Sequence, residues 1–149
     1  MSKESLAAMT TAQKSLQAVR IIHLGFLGAA IAYLFLALAY APTRSRQFPP
    51  VFALALGILS FSVLAIAIFF RSRMVHPVSE ILRNDPEDKV AVSRWRSGVI
   101  LSLVFCESVV LFGVALKFIG VSWNVCGMFY AAGISFMLAW WPRLELPPN

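Results

Sequence analysis

The sequence predicts an all-α integral membrane protein of four transmembrane helices, arranged as two antiparallel hairpins with N- and C-termini cytoplasmic. Three observations predict it. Of the 149 residues, 59% are hydrophobic and only 13% charged, with a mean hydropathy of +0.76; soluble domains run nearer half apolar and a quarter charged. The apolar residues fall into four runs of about 20, the length a helix needs to cross the hydrocarbon. The basic residues crowd at alternate ends of those runs, which fixes an orientation.

Residues 1–20 are an N-terminal interfacial segment. Leu6, Met9 and Leu16 lie on one side, with Lys3, Lys14 and Gln17 elsewhere, the pattern of a short helix on a headgroup surface. The membrane domain is 21–141. Its first span is Ile21–Ala41, between Arg20 and a Pro42-Thr43-Arg44 turn. Ala39-Tyr40-Ala41 has the small-x-small form of a cleavage site, but the run before it is too long for a signal-peptide core, so this span is expected to be retained. The second span is Val51–Phe70, between Pro49-Pro50 and Arg71. Backbone groups in hydrocarbon must be paired within their own segment, which makes these runs helices.

The cytoplasmic link, 71–96, carries its own punctuation. Pro77 opens a short helix holding Val78, Ile81 and Leu82 that ends near Asn84. Asp85 then reads as an N-cap with Pro86 at the first helical position, so one helix is expected from Pro86 through the third span, Ser97–Leu116. Gly120 separates it from the fourth span, Val121–Trp141, and 142–149 is a C-terminal tail. Trp95, Trp140 and Trp141 at the inner boundary, with Tyr40 and Trp123 at the outer, read as interfacial anchors.

With the N-terminus inside, the cytoplasmic face holds Lys3, Lys14, Arg20, Arg71, Arg73, Arg83, Lys89, Arg94, Arg96 and Arg143. The outer face holds only Arg44, Arg46 and Lys117. The net charge of +6 is therefore accounted for by topology and by anionic headgroups at the cytoplasmic face. No nucleic-acid partner is expected, because no soluble face combines basic residues with stacking platforms. A multi-pass integral membrane location follows, and a bacterial inner membrane is the expected one.

Enzyme chemistry finds little support. There is no glycine-rich phosphate loop, no HExxH and no CxxC. No metal site is expected, since the acids of the link lack a convergent third ligand. His23 and His76 have no paired helix position to suggest haem and read as interfacial, so no cofactor is expected. Cys106 and Cys126 sit at different depths and read as small packing residues.

One charge stands apart. Six of the seven acids lie in cytoplasmic segments, whereas Glu107 is the eleventh residue of the twenty-residue third span. An ionised carboxylate at mid-bilayer costs about 3 kcal/mol on insertion scales, so such residues serve ion pathways or pair with a neighbour. Around it run rows suited to close helix packing: Gly98, Ser102 and Cys106 on the third span, and Gly127, Ala131, Ser135 and Ala139 on the fourth. Gly25/Ala29, Gly28/Ala32 and Ala53/Gly57 extend the pattern to the other spans. Packing between protomers, in a homo-oligomer, is expected alongside packing within the bundle.

The stretch from Gly98 to Gly113 resembles the carboxylate-bearing helix of rotary ATPase c-subunits, the proteolipids. In that family a glycine opens an aliphatic run, followed by a small residue, the ion-binding Glu and an aromatic-Gly pair; here those positions are Gly98, Cys106, Glu107, Phe112 and Gly113. The resemblance covers about a seventh of the chain. It implies that Glu107 takes and releases an ion in an oligomeric, ring-forming assembly, with Ser108 and Phe112 completing the site. Sodium-binding relatives use a hydroxyl at the aromatic position and a Gln on the partner helix. Phe112 has no hydroxyl and span two no Gln, so the implied ion is a proton. Spans one and four and the long link are additional to that hairpin. The alternative, from another class, is a non-catalytic scaffold subunit of a larger membrane complex, in which Glu107 hydrogen-bonds a neighbouring helix.

Overall fold

The computed structural model describes residues 11–41 and 50–144, and every regular element among them is helical. The order is α1 (Thr11–Tyr40), α2 (Pro50–Met74), α3 (His76–Asn84), α4 (Lys89–Phe118) and α5 (Trp123–Ala139). Three stretches are long and apolar enough to cross a membrane: α1, α4, and Leu54–Asn84, which α2 makes with α3. The apolar α5 has 17 residues, about 25 Å at 1.5 Å per residue. The Pro42-Thr43-Arg44 turn, Leu6, Met9 and residues 145–149 of the tail lie outside the described residues.

The chain is built around α4. Helices α1, α2, α3 and α5 all pack on it, and its buried residues include Val92, Trp95, Val99, Ser102, Cys106, Val109, Gly113 and Leu116. Those positions alternate three and four apart, the spacing of near-parallel helices meshing along a seam. The partner faces have the same period. On α1, Ala12, Leu16, Val19, His23, Ala30 and Ala37 are buried, and on α5 Cys126, Tyr130, Gly133 and Met137. The outward faces stay apolar: Phe35, Ile58, Phe61 and Met128 are all more than half exposed. A water-soluble bundle would carry polar residues there. Against lipid, the helices are held by van der Waals packing and interhelical hydrogen bonds.

The segment between the second and third spans differs from its sequence expectation. Helix α2 runs on through Arg71 to Met74, and α3 follows after the single residue Val75. The long helix starts at Lys89, not Pro86, because the cap is Asp88 instead of Asp85. Asp88 Oδ1 accepts from Val90 N at 2.9 Å and Ala91 N at 3.1 Å, satisfying two of the open donors of α4. Asp85 Oδ1 instead accepts from Glu87 N at 3.1 Å and closes a turn through Pro86. Both aspartates obey the same local rule; the turn takes the first and leaves the second to the helix.

That turn also fastens α1. Ala12 N donates to Pro86 O at 3.2 Å, Thr11 N donates to Glu87 Oε1 at 2.9 Å, and the Thr11 hydroxyl donates to the same carboxylate. Helices α1 and α4 therefore begin side by side. Helix α1 passes Arg20 without a break, so 11–20 belongs to the same rod as the apolar run. At its far end α4 closes on Gly120, whose φ of 95° needs a residue without a Cβ. Val121 N reaches back to Leu116 O and Gly120 N to Lys117 O, both at 3.0 Å, the paired closure of a Schellman stop.

Candidate functional site

Glu107 lies on the most enclosed helix of the bundle, yet not on its most enclosed side. Cys106 beside it is fully buried, and the α5 backbone approaches so closely there that a Cβ on Gly133 would stand 2.8 Å from Cys106 O. One residue on, the helix has turned by about 100°. Glu107 and Ser108 are half-buried, with Val104 and Leu111 exposed above and below them. Ser108 spends its hydroxyl on Val104 O at 2.9 Å. Among the described residues no donor reaches the Glu107 carboxyl. Phe112 is half-buried and packs against the core edge.

The small residues named from the sequence divide between two environments. Gly98, Ser102, Cys106 and Gly113 are buried. A Cβ on Gly98 would come within 3.0 Å of Met74 Cβ, and one on Gly113 within 3.0 Å of Phe129 Cβ. Ser102 returns its hydroxyl to Gly98 O at 2.8 Å. On α5 the row runs the other way. Ala131, Ser135 and Ala139 are exposed, and nothing lies within 4 Å of a Cβ on Gly127. The tight contact of α5 is made by Gly133, where a Cβ would meet Val110 Cγ2 at 2.5 Å. Gly25, Gly28 and Gly57 also face open space.

A second group of chemistry-bearing side chains escaped the sequence reading. His23 is turned into the bundle: it is fully buried and meets Trp141 edge-on, ring centroids 4.9 Å apart. Neither ring nitrogen makes a hydrogen bond, although the Met137 carbonyl is near. The Arg71 guanidinium lies 5.2 Å from the Trp140 ring centroid, with Nη1 buried and unpaired. Trp95 is likewise core, 1% exposed, and not at the lipid boundary. Continuation of α2 past residue 70 draws Arg71 into the bundle. The sequence signal for this was that no Gly or Pro stands between Phe70 and Pro77. At the opposite end, Lys117 Nζ sits 5.0 Å from the Trp123 ring centroid.

Both cysteines are free and buried. Among the described residues no three His, Cys, Asp or Glu side chains converge as a metal site would require. An apolar groove of about 600 Å³ between α2 and α5, floored by Val109, contains no titratable group. Compared with protein-family models, with curated proteins and with solved structures, the chain has no match.

Proposed function

We propose that the chain is an oligomeric membrane proteolipid in which Glu107 is a protonatable site serving proton translocation, in the manner of a rotary ATPase c-subunit hairpin. The membrane is a bacterial inner membrane, the four apolar helices form two antiparallel hairpins, and both termini are cytoplasmic. One observation carries the reading. The one carboxyl within the apolar run of α4 lies half-buried, between exposed Val104 and Leu111, with no donor from its own chain among the described residues. A carboxyl that served only to tie this bundle together would hold a partner inside it, since an unpaired polar group in hydrocarbon is costly. A proton carrier must instead present its carboxyl to a neighbour that changes. Exposed Ala131 and Ser135, in line with half-buried Gly127, give α5 a face that a second helix can approach closely.

The test is chemical. Carbodiimides modify protonated carboxyls in apolar surroundings. Treated in a membrane, the protein is expected to take up one label at Glu107, decreasing as pH rises and absent from Glu107→Gln. No labelling at any pH overturns the reading. The scaffold-subunit alternative predicts that Glu107→Gln, which keeps hydrogen-bonding capacity, preserves both assembly and activity of the complex.

A further inference from the structure

Where α1 and α4 start together they leave a groove of about 610 Å³, a volume within the range of small-molecule sites. Its charged lining comes from both helices: Lys14 from α1, Lys89 and Arg96 from α4. Ser15, Ser93 and Ser97 add hydroxyls between them. No carboxylate lines it. Glu87 stands close to Lys14 and Lys89, but its oxygens are engaged by Thr11. Ser15 Oγ itself is buried beneath the groove surface without a hydrogen-bond partner, so the accessible hydroxyls are those of Ser93 and Ser97. The walls become apolar toward Ala18 and Ile100. The two apolar runs begin at Ile21 and Ser97, so the groove spans the level where headgroups meet acyl chains. A second polar groove near α3, of about 300 Å³, differs on the decisive point, because Glu80 lines it beside Arg83 and Arg143.

We infer that the α1–α4 groove is a binding site for the phosphate-bearing headgroup of an anionic phospholipid. The chemistry needed is a phosphate held by a planar guanidinium at Arg96, by two point charges at Lys14 and Lys89, and by serine hydroxyls. Basic pockets between helices at a cytoplasmic boundary take such headgroups. A lipid fits better than free phosphate because the groove continues into an apolar wall, along which an acyl chain can lie. The headgroup would bridge the start of α1 to the start of α4, adding to the Thr11–Glu87 contact. This inference rests on the membrane reading of the fold and is independent of any proton at Glu107.

The experiment is native mass spectrometry of the full chain released from detergent. Diphosphatidylglycerol, phosphatidylglycerol, phosphatidylcholine and inorganic phosphate are each added in turn. The expected result is retention of the two anionic lipids about tenfold over phosphatidylcholine, with no displacement by excess inorganic phosphate. Lys14→Gln/Lys89→Gln/Arg96→Gln should lose about a hundredfold in anionic-lipid retention, whereas Arg73→Gln/Arg94→Gln/Arg143→Gln, of equal charge change at the same boundary, should keep it. Ser93→Phe fills the groove without altering charge; the same loss is expected there if the triple variant does not fold. Equal loss in both triple variants means diffuse surface attraction and overturns the site. Unchanged retention in the groove variants also overturns it. Displacement by inorganic phosphate overturns the lipid assignment. Glu107→Gln should bind lipid as the unaltered chain does, which separates this result from the fate of the proton reading.

Discussion

Gly133 occupies a position where α5 and α4 touch through backbone. A methyl group there would press on Val110 Cγ2 and on Cys106 O, a stiff β-branched side chain and a helix carbonyl, neither of which yields cheaply. Gly133→Ala is expected to cost about 1–3 kcal/mol, the usual range for overpacking. Gly127, six residues earlier and on another side of α5, faces open space. There the same change removes only the backbone freedom of glycine and should be neutral or stabilising by up to about 1 kcal/mol. Thermal unfolding of both variants in one detergent checks the pair: a lower melting temperature for Gly133→Ala and an unchanged or higher one for Gly127→Ala. Equal shifts would mean that α5 is rotated from the orientation described.

At the scale of elements, the contact between α1 and the 85–88 turn makes a pH-dependent fastening. The hydrogen bonds from Thr11 hold the exposed Glu87 carboxyl below the ordinary carboxylate range. The charged form is thus bound more strongly in the folded chain than in the unfolded one. Its stabilisation is fully present above the ordinary glutamate value of 4.5 and is lost as pH falls through the lower folded value. Glu87→Gln should therefore melt below the unaltered chain at neutral pH, with the gap closing in acid. A gap that widened in acid would contradict the assigned bonds. Glu87 is solvent-exposed, so the difference should be small.

The same scale shows what was legible in the sequence. Apolar runs located the long helices, three of them apolar enough to cross a membrane, and Gly120 the stop of α4, because length and a missing Cβ are local properties. The choice between Asp85 and Asp88 as cap was not legible, since each satisfies the rule and only the turn through Pro86 decides. The orientation of α5 was hidden for a related reason. Small residues lie on two of its faces, and the one turned to α4 is fixed by what α4 offers opposite Cys106 and Val110. His23 and Arg71 come from α1 and α2 and Trp140 caps the end of α5, so their proximity has no trace in any single periodicity. Glu107 was found because one charge in an apolar span is conspicuous without knowing its neighbours; its half-exposed setting was not.

For the molecule as a whole, the consequence of the proposed function is a defined oligomer. Helix α4 is enclosed on most sides by its own chain, so the outward faces of α1, α2 and α5 are the surfaces through which copies can meet. On α5 that surface is the row of half-buried Gly127 with exposed Ala131 and Ser135. Lipid tails are as apolar as leucine, so two such helices associate only if their backbones come close enough for dense packing. Ala131→Leu should hold the helices apart while leaving the interior untouched, because Ala131 makes no part of the buried seam. Mass photometry in detergent is expected to give one closed stoichiometry for the unaltered chain, as point-group symmetry requires. Ala131→Leu should shift it to smaller particles with an unchanged melting temperature. A chain that is monomeric from the outset would remove the ring from the proposal, since a proton carried by Glu107 needs a neighbouring subunit to receive it.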